Sequence, residues 1–377
     1  MEIETILASL DHYIDPKTGA LVPPVQPSTT FARDEYNQPI DGKRLYGRDQ
    51  NVTVELAEKI LAKIEGAAQT LLYPSGQAAA MALLQALKPN ATIIISRHMY
   101  WALYTWVSDF CTTWQLNLRI IDLYDSAQAL SCIDKSCDLV LLEVPSNPML
   151  YVADLPLLAQ HCRKVGAKLA VDATAATPYL LHPLALGANI VVHSATKAIG
   201  GHADLLGGIL SAQNINDTYW QRIVSLRAGM GSVSSAFDAW LLLRGLRTLA
   251  LRIEHMSQSA QTLTQRAITH KNVIEVLYPG YGENQNQAAR AAELMPKGRG
   301  CLFSLRIKGG AQAALGVIRR LKLFTRATSL GSCESLVELR KPIEGPDSPV
   351  PDDLLRFSVG IENVEDLWND LNRALSL

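Results

Sequence analysis

The sequence predicts an α/β fold: a mostly parallel sheet with helices on both faces, followed by a smaller C-terminal α+β domain. Between about residue 70 and residue 192, short apolar runs of strand length alternate with helical stretches. This alternation is typical of a parallel sheet that is covered on both faces. The last third of the chain mixes apolar runs with the helical pattern VEDLWNDLNRAL, which favours a separate small domain.

Composition limits the classes of partner. The chain has 377 residues, with 35 basic and 36 acidic side chains, a formal charge of −1 and 48% hydrophobic residues. This apolar content is enough for a large core, and the balanced charge argues against nucleic acid. No apolar run approaches the roughly 20 residues that span a bilayer, and the acidic start lacks the layout of a signal peptide. We therefore expect a cytoplasmic protein without a membrane partner.

The cysteine and histidine patterns point away from metal binding. Six cysteines are irregularly spaced and form no CxxC pair, and the eight histidines form no HxxxH or HExxH motif. We expect reduced thiols that serve packing, and no metal site.

Three regions differ in their pattern. Residues 1–51 are rich in Pro, Asp, Tyr and Thr and lack clear periodicity, so we expect an extended arm. Residues 52–234 carry the alternating strands and helices of the large domain. Residues 235–377 begin with a long helical pattern, from about Ser235 to about Ala267, that is expected to link the large domain to the small one.

The elements of the large domain follow in order. In TVELAEKILAKIEG the apolar residues recur at helical spacing and Gly66 ends the helix. A short strand, a turn at Pro74–Gly76 and a second helix come next. Five apolar runs read as strands, and a helix is predicted in LPLLAQHCRKVG between the third and fourth of them. The runs are Thr92–Ile95, Leu118–Ile121, Leu139–Val144, Leu169–Val171 and Ile190–Val192.

The motif HSATKAIGG follows the last of these strands and places Lys197 just past its carboxyl end. The amine can form a Schiff base with an aldehyde, and the hydroxyls of Ser194 and Thr196 can bind a phosphate. A lysine beside two hydroxyls is more often a solvated surface residue, so this motif alone leaves both interpretations open.

Three further motifs follow strands in the same way. Asp172 in VDAT could keep a pyridinium nitrogen protonated, although a cap or turn aspartate is the commoner case. Gly76 and Gln77 in PSGQAAA could donate backbone N–H groups to an anion at a helix N-terminus, or form an ordinary turn. Tyr100 could stack on a planar cofactor or pack in the core with Tyr104. Together the four motifs provide a phosphate cradle, a stacking ring, a pyridinium partner and an amine, which predicts pyridoxal phosphate as the cofactor.

The chain resembles the Cys/Met-metabolism family of pyridoxal-phosphate enzymes, which includes the trans-sulfuration enzymes, along nearly its whole length. The resemblance is carried by TGALVPPVQPSTTF, YGRDQNVTVELAEKILAKIEG, SGQAA, EVPSNPML, VDAT, HSATKAIGGHADLLGG, AFDAWLLLRGLRTL, SLGSCESL and LLRFSVGIENVEDL. It implies the fold-type I architecture of pyridoxal-phosphate-dependent transferases.

The resemblance also implies roles for individual residues. Lys197 would bind the cofactor and shuttle protons, with Tyr100 and Tyr46 as further catalytic residues. Arg356 would clamp the substrate carboxylate, and Ser329 and Asn147 would help to orient the substrate. The cofactor would contact Gly76, Gln77, Tyr100, Asp172, Thr174, Ser194, Thr196 and Lys197, with Tyr46 and Arg48 supplied to the cofactor of a neighbouring subunit. A dimer with shared active sites, often paired into a tetramer, is thereby implied, with the arm contacting the neighbouring subunit.

Departures from the family pattern bear on specificity. Tyr100 is followed by Trp101-Ala102-Leu103 instead of Gly-Gly-Thr, and Leu339–Pro351 replaces a His-Pro-Ala-Ser-Met-Thr-His-like stretch. Leu330 stands where several β-lyases carry Trp. The expected activity is γ-elimination or γ-replacement on cystathionine or an O-acylhomoserine. Cystathionine β-lyase, methionine γ-lyase and O-acylhomoserine sulfhydrylase stay as alternatives, and a non-enzymatic cofactor-binding protein or an aminotransferase is disfavoured by the complete set of motifs.

Overall fold

The computed structural model describes residues 1–281 and 285–376; residues 282–284 and 377 of the predicted C-terminal domain lie outside the described residues. The helices are α1 Ile3–Ser9, α2 Val52–Glu65, α3 Gly76–Gln85, α4 Trp101–Thr113, α5 Ser126–Cys132, α6 Leu155–Val165, α7 Thr177–Leu180, α8 Thr218–Gly229, α9 Ala236–Leu246, α10 Leu249–Ala267, α11 Gln285–Leu294, α12 Gly310–Arg320, α13 Arg340–Glu344 and α14 Val364–Ser376. The strands are β1 Gln69–Tyr73, β2 Thr92–Ser96, β3 Asn117–Ile121, β4 Cys137–Glu143, β5 Lys168–Asp172, β6 Ile190–Ser194, β7 Gly208–Ala212, β8 Val273–Leu277, β9 Leu302–Ile307, β10 Thr325–Arg326, β11 Leu336–Leu339 and β12 Leu354–Ser358.

The predicted fold class is confirmed. A sheet of seven strands has the order β1-β7-β6-β5-β4-β2-β3, and a second sheet of five strands has the order β10-β11-β12-β9-β8. Strand β2 pairs in parallel with β3 and β4, and β4 pairs in parallel with β5, whereas β7 is antiparallel to β1 and β6. The chain divides into two compact units, one of residues 1–88 and 189–250 and the other of residues 89–188 and 251–377.

Helix α2 of the first unit forms as its periodicity predicts. Asn51 caps its N-terminus by accepting hydrogen bonds from the amides of Thr53 and Val54, and Gly66 ends it at a φ of 67°, a conformation that suits glycine. The five apolar residues at helical spacing are all buried: Val54, Ala57, Ile60, Leu61 and Ile64. The helix therefore presents one apolar stripe to the core.

The N-terminal arm carries more structure than the sequence indicates. Helix α1 occupies its start, where Ile6 and Leu7 are buried and α1 contacts α2. Seven residues are too few to show a clear helical period, so tertiary packing rather than local pattern decides this helix. The rest of the arm is irregular apart from isolated bridges that join Thr30 to Tyr46 and Arg33 to Pro39.

In the second unit, the ends of the parallel strands bring polar side chains side by side. Strand β2 is buried along its whole length, and six of the seven residues of β4 are buried, as expected for strands covered on both faces. The register pairs Glu143, the last residue of β4, with Asp172, the last residue of β5. Two carboxyl groups thus lie at neighbouring strand ends.

The C-terminal region contains the second, five-stranded sheet, in agreement with the smaller α+β part that the pattern predicts. Phe303 of β9 and Phe357 of β12 stack at a ring-centroid distance of 4.8 Å. On the neighbouring pair of strands, Glu338 of β11 lies directly opposite Arg356 of β12. Oppositely charged partners across an antiparallel pair stabilise it.

The long helical pattern that begins near Ser235 forms two successive helices. Helix α9 ends at Leu246 and α10 begins at Leu249. The hydroxyl of Thr248 donates a hydrogen bond to the carbonyl of Gly245 at 3.3 Å. Such a local side-chain bond competes with continued helical pairing.

The remaining expectations concern side chains. All six cysteines are free thiols, and Cys111, Cys137, Cys162 and Cys301 are buried. Tyr104 is half-buried and stacks on Trp101 at 4.9 Å rather than packing in the core with Tyr100. Within residues 1–281 and 285–376 there is no helix with the length and apolar character that crossing a membrane requires.

We predict that Gly245→Ala destabilises the protein. A Cβ at Gly245 would lie 2.3 Å from the carbonyl oxygen of Gly200, which is backbone and cannot rotate away. We expect the free energy of unfolding to fall by about 1–3 kcal/mol, the usual cost of overpacking, measured by urea denaturation. Gly229→Ala is the matched control, because nothing lies within 4 Å of its Cβ position; equal stability of the two variants would contradict the prediction.

Candidate active site

The loop after β6 presents Lys197. Ser194 ends the strand, and its carbonyl accepts a hydrogen bond from the amide of Lys197 at 3.1 Å. The carbonyl of Lys197 in turn accepts from the amide of Gly201 at 2.8 Å. Ser194, Thr196 and Lys197 are all half-buried. The turn therefore places a primary amine and two hydroxyls on three nearby positions of one loop.

The N-terminus of α3 lies against the same loop. Ser75 caps this helix by accepting from the amide of Ala78, and the amides of Gly76 and Gln77 precede the first intrahelical hydrogen bond. A Cβ at Gly76 would lie 2.6 Å from the Cβ of Ser194. Glycine is therefore required here for the backbone to approach the serine, and the sequence-predicted pair of Gly76 and Ser194 is brought together.

Thr196 is held by the backbone of the following loop. Its hydroxyl accepts a hydrogen bond from the amide of Gly207 at 2.9 Å and lies 3.3 Å from the carbonyl of the same residue. These contacts fix the orientation of the threonine side chain beside Ser194 and Lys197.

Asp172 lies at the carboxyl end of β5 in the second unit. Its Oδ1 accepts hydrogen bonds from the amide of Thr174 at 3.0 Å and from the hydroxyl of Thr174 at 2.6 Å. Donors of this kind favour the ionised carboxylate. The two residues of the VDAT motif thus act as one group, and the threonine orients the acid.

Glu143 joins two further predicted residues. Its Oε2 accepts from the amide of Tyr100 at 2.9 Å and from the amide of Asn147 at 3.0 Å. Burial, and then the nearby charge of Asp172, raise the pKa of Glu143 well above its usual value. A single carboxyl group therefore holds both the start of α4, where Tyr100 stands, and the loop of Asn147.

Arg356 is buried on β12 among polar partners. Its Nη1 donates to Oδ1 of Asn147 at 3.3 Å, and its Nη2 donates to the carbonyl of Ser329 at 2.8 Å and to Glu338 at 3.1 Å. Its Nε is buried and has no hydrogen-bond partner within the part of the chain that the structure describes. Burial, and then Arg340, lower the pKa of Arg356 to about 10, so the guanidinium keeps its charge at neutral pH.

The backbone of Ser329, whose carbonyl binds Arg356, has a strained conformation. Its φ is 121°, which is uncommon for any residue other than glycine and costs about 1–3 kcal/mol. The strained carbonyl is the one that accepts from Arg356. All three residues that the resemblance assigns to the substrate, Arg356, Ser329 and Asn147, thus meet in the second unit.

Tyr46 and Arg48 belong to the N-terminal arm and are exposed. The guanidinium of Arg48 lies 5.1 Å from the centre of the Tyr46 ring, a cation–π arrangement. Nearly half of the Tyr46 surface is accessible in this single chain. The pair is therefore available to a molecule outside its own chain.

A buried contact between a histidine and a glutamate at the end of β6 was not expected from the sequence. Nε2 of His193, which precedes Ser194, lies 2.9 Å from Oε2 of Glu65, and both side chains are almost wholly buried. The partners are 128 residues apart, so no local motif predicts the contact. It ties the end of β6 to the end of α2.

A family profile decides the class of protein. The profile described as Cys/Met metabolism PLP-dependent enzyme matches residues 4–376. The chain belongs to this family. As members of the Cys/Met metabolism family depend on pyridoxal phosphate, the chain is a pyridoxal-phosphate-dependent carbon–sulfur lyase or transferase.

Individual relatives agree with the family assignment. The chain is 37% identical over 368 residues to a cystathionine gamma-synthase of Mycobacterium leprae (strain TN), which covers 96% of this chain and 94% of that protein. It is 36% identical over 371 residues to a cystathionine gamma-lyase of Saccharomyces cerevisiae, with 95% and 93% covered. A cystathionine gamma-synthase from Xanthomonas oryzae pv. oryzae, solved with aminoacrylate and cysteine, matches with a TM-score of 0.92 at 33% identity and covers 100% of this chain and 98% of that chain.

The residues present fit the cofactor of this family. At Gly76 the N-terminus of α3 has no side chain and lies beside the hydroxyl of Ser194, which suits a phosphate. Lys197 supplies an amine, and the hydrogen bonds from Thr174 keep Asp172 suited to hold a pyridinium. The chain therefore carries the three kinds of group that pyridoxal phosphate needs: a phosphate site, an amine and a carboxylate.

We predict that Glu143→Gln gains stability relative to the natural chain as the pH rises. The folded chain retains a proton on Glu143 that the unfolded chain loses above about pH 4.5, so rising pH destabilises the natural protein, whereas glutamine cannot ionise. Urea denaturation from about pH 5 to about pH 8 should show a growing difference, of up to about 1.4 kcal/mol per pH unit.

The exposed Glu293→Gln variant is the matched control for the removal of one carboxyl group and is measured over the same pH series. If the difference between Glu143→Gln and the natural protein grows no more with pH than that of the control, the prediction is wrong.

Proposed function

We propose that this enzyme catalyses γ-elimination or γ-replacement on cystathionine or an O-acylhomoserine. An amino-acid substrate is supported above all by the surroundings of Arg356. This buried cation is oriented by hydrogen bonds to Asn147 and Ser329, and its Nε has no partner in the described chain. The γ-chemistry is supported by Leu330, a buried aliphatic residue where several β-lyases carry Trp. Similarity to a γ-synthase and a γ-lyase supports the same class.

We propose roles for the residues that the resemblance assigns to the cofactor. Gly76, Gln77, Ser194 and Thr196 would bind the phosphate, because a helix N-terminus and hydroxyls donate hydrogen bonds to an anion. Asp172, oriented by Thr174, would hold a proton on the pyridine nitrogen, and the ring of Tyr100 would stack on the cofactor. Pyridoxal phosphate, when bound, withdraws electrons from the α-carbon of an amino acid.

Lys197, Tyr46 and Tyr100 have proposed roles in proton transfer, and Arg356 has a proposed role in binding the substrate. The Nζ of Lys197 would remove the proton from Cα of the substrate. Once the resulting ammonium group has passed that proton to water or to a neighbouring base, the same amine is proposed for the second removal, at Cβ, that the γ-route needs, and the departing γ-substituent takes up a proton as it leaves. The phenols of Tyr46 and Tyr100 assist as acid or base. Arg356 binds the substrate carboxylate through its planar fork of donors, which fixes Cα relative to Lys197.

The exposed arm supports a shared site between two copies. We propose that Tyr46 and Arg48 reach the cofactor phosphate of a neighbouring subunit, and that residues 1–51 contact that subunit. The exposure of the pair in one chain favours this role. A tetramer of two such dimers, the domain limits at residues 52–234 and 235–377 and a cytoplasmic location stay predictions.

We predict that cystathionine as sole substrate yields 2-oxobutyrate and cysteine. This outcome follows from departure of the γ-substituent once Lys197 has removed the protons at Cα and Cβ. The products are to be identified by mass spectrometry, with the Lys197→Ala protein as the blank. Pyruvate and homocysteine would instead establish a β-lyase, and the interpretation of Leu330 would then be wrong.

A synthase or a sulfhydrylase gives neither pair of products. In that case the same assay is repeated with an O-acylhomoserine and either cysteine or sulfide. Formation of cystathionine would establish γ-replacement and keep the proposal, whereas reaction with sulfide alone would favour a sulfhydrylase.

We predict that two inactive variants restore activity when they share an assembly. Lys197→Ala retains Arg48, and Arg48→Ala retains Lys197, so a mixed dimer has one complete site of its two. Random co-assembly should recover about one-quarter of the natural activity. Activity no greater than the sum of the separate variants, in assemblies shown by native mass spectrometry to contain both chains, would contradict a shared site.

A further inference from the structure

The segment Leu339–Pro351, which departs from the family pattern, begins with a buried arginine. Arg340 opens α13 directly after β11 and is 2% exposed. Its Nε and Nη2 donate to Oε1 of Glu344 at 2.9 and 2.7 Å, and its Nη1 donates to Oε2 of Glu338. Glu344 is buried as well, and its other oxygen accepts from the hydroxyl of Ser348 at 2.5 Å. The segment therefore builds a buried ion pair onto Glu338.

Glu338 connects this pair to Arg356. The two residues are cross-strand partners, and Oε2 of Glu338 accepts from Nη2 of Arg356 as well as from Arg340. The other oxygen of Glu338 accepts from the hydroxyl of Thr328 at 2.6 Å. The carboxylate is thus held from three sides, and it contacts Arg356 at Nη2 but leaves Nε unpaired in the described chain.

Glu338 lies between two cations, Arg356 and Arg340, and this arrangement explains why Arg340 matters for Arg356. Glu338 alone beside Arg356 would neutralise the guanidinium, and a carboxylate arriving from a substrate would compete with it directly. With Arg340 on the other side of Glu338, the same carboxylate is shared by two cations. Burial alone would lower the pKa of Arg340, but Glu338 and Glu344 outweigh it and raise that pKa, so Arg340 stays charged. In a buried site these interactions are only weakly screened by water.

We propose that Arg340 is a positioning residue for the substrate carboxylate: by sharing Glu338, it lets that carboxylate orient Arg356 without neutralising it. The inference rests on the proposed role of Arg356 as the carboxylate clamp. All three guanidinium nitrogens of Arg340 are engaged by Glu338 and Glu344, whereas Nε of Arg356 has no partner in the described chain, so Arg340 acts on the substrate carboxylate through Glu338. The segment Leu339–Pro351 thereby sets the affinity of the site for the carboxylate common to amino acids.

The test compares a ligand that has the carboxylate with one that lacks it. L-Alanine and ethylamine carry the same amine, but only alanine carries a carboxylate. Their dissociation constants for the holoenzyme are measured by spectrophotometric titration of the bound cofactor. In Arg340→Gln we expect alanine to bind about tenfold or more weakly while ethylamine changes by less than about twofold. For a reacting substrate, KM should rise by more than kcat falls.

Two double variants separate charge sharing from a structural defect. Arg340→Gln with Glu338→Gln removes the competing carboxylate, so alanine binding should recover. The double variant Arg340→Gln with Glu344→Gln removes only Glu344, the acid that loses its partner Arg340, so alanine binding should stay weak. The opposite pattern would mean that Arg340 only neutralises Glu344, and the proposal would be wrong. Arg340→Lys, which cannot fork to both acids, should fall between the natural protein and Arg340→Gln.

Controls keep the outcome independent of folding and of the proposed function. Arg266→Gln breaks an exposed pair with Glu365 and should leave both dissociation constants unchanged. The alanine-to-ethylamine ratio within one variant cancels partial loss of active protein. If Arg356→Gln abolishes the preference for alanine while Arg340→Gln does not alter it, the role of Arg340 is disproved and the clamp stands. If Arg356→Gln leaves the preference intact, the clamp itself is disproved.

Discussion

The carboxyl group of Glu143 is the contact on which much of the second unit's site depends. One of its oxygens accepts the amides of Tyr100 and Asn147, and its own carbonyl accepts from the hydroxyl of Tyr124 at 2.6 Å. A buried strand must end where its backbone groups can still be satisfied. A long polar side chain at that end solves this problem for two loops at once.

Neighbouring acids in a low-dielectric region cannot both ionise at small cost. The structure resolves this conflict by giving the donors of Thr174 to Asp172 and raising the pKa of Glu143. The two carboxyl groups thereby differ: Asp172 binds both the amide and the hydroxyl of Thr174, whereas Glu143 binds the amides of two separate loops. Arg356, Glu338, Arg340 and Glu344 show the related solution, in which buried charges alternate in sign. Breaking one member of such a chain is costly because its neighbour is left unpaired.

Local patterns predicted most of the fold, and the resemblance to the family supplied most of the candidate residues of the site. The period of α2, its glycine stop and the runs that became β2, β4 and β6 are properties of a few consecutive residues. The start of the arm and the break at Thr248 were not predicted, because packing or a single hydroxyl decides them. The pairs of Glu65 with His193 and of Glu338 with Arg356 join residues far apart in the sequence, so only the folded chain reveals them. Arg340 in particular looks like a surface residue until β11 and β12 are paired.

The unusual backbone at Ser329 has a consequence for how the protein could be improved. Because a φ of 121° is costly for serine and easy for glycine, a screen for thermal resistance would tend to select glycine at this position. The same exchange would loosen the carbonyl that orients Arg356 and remove the serine hydroxyl. Stability at position 329 is thus traded against precision of the site, and laboratory evolution for heat tolerance alone would work against catalysis here.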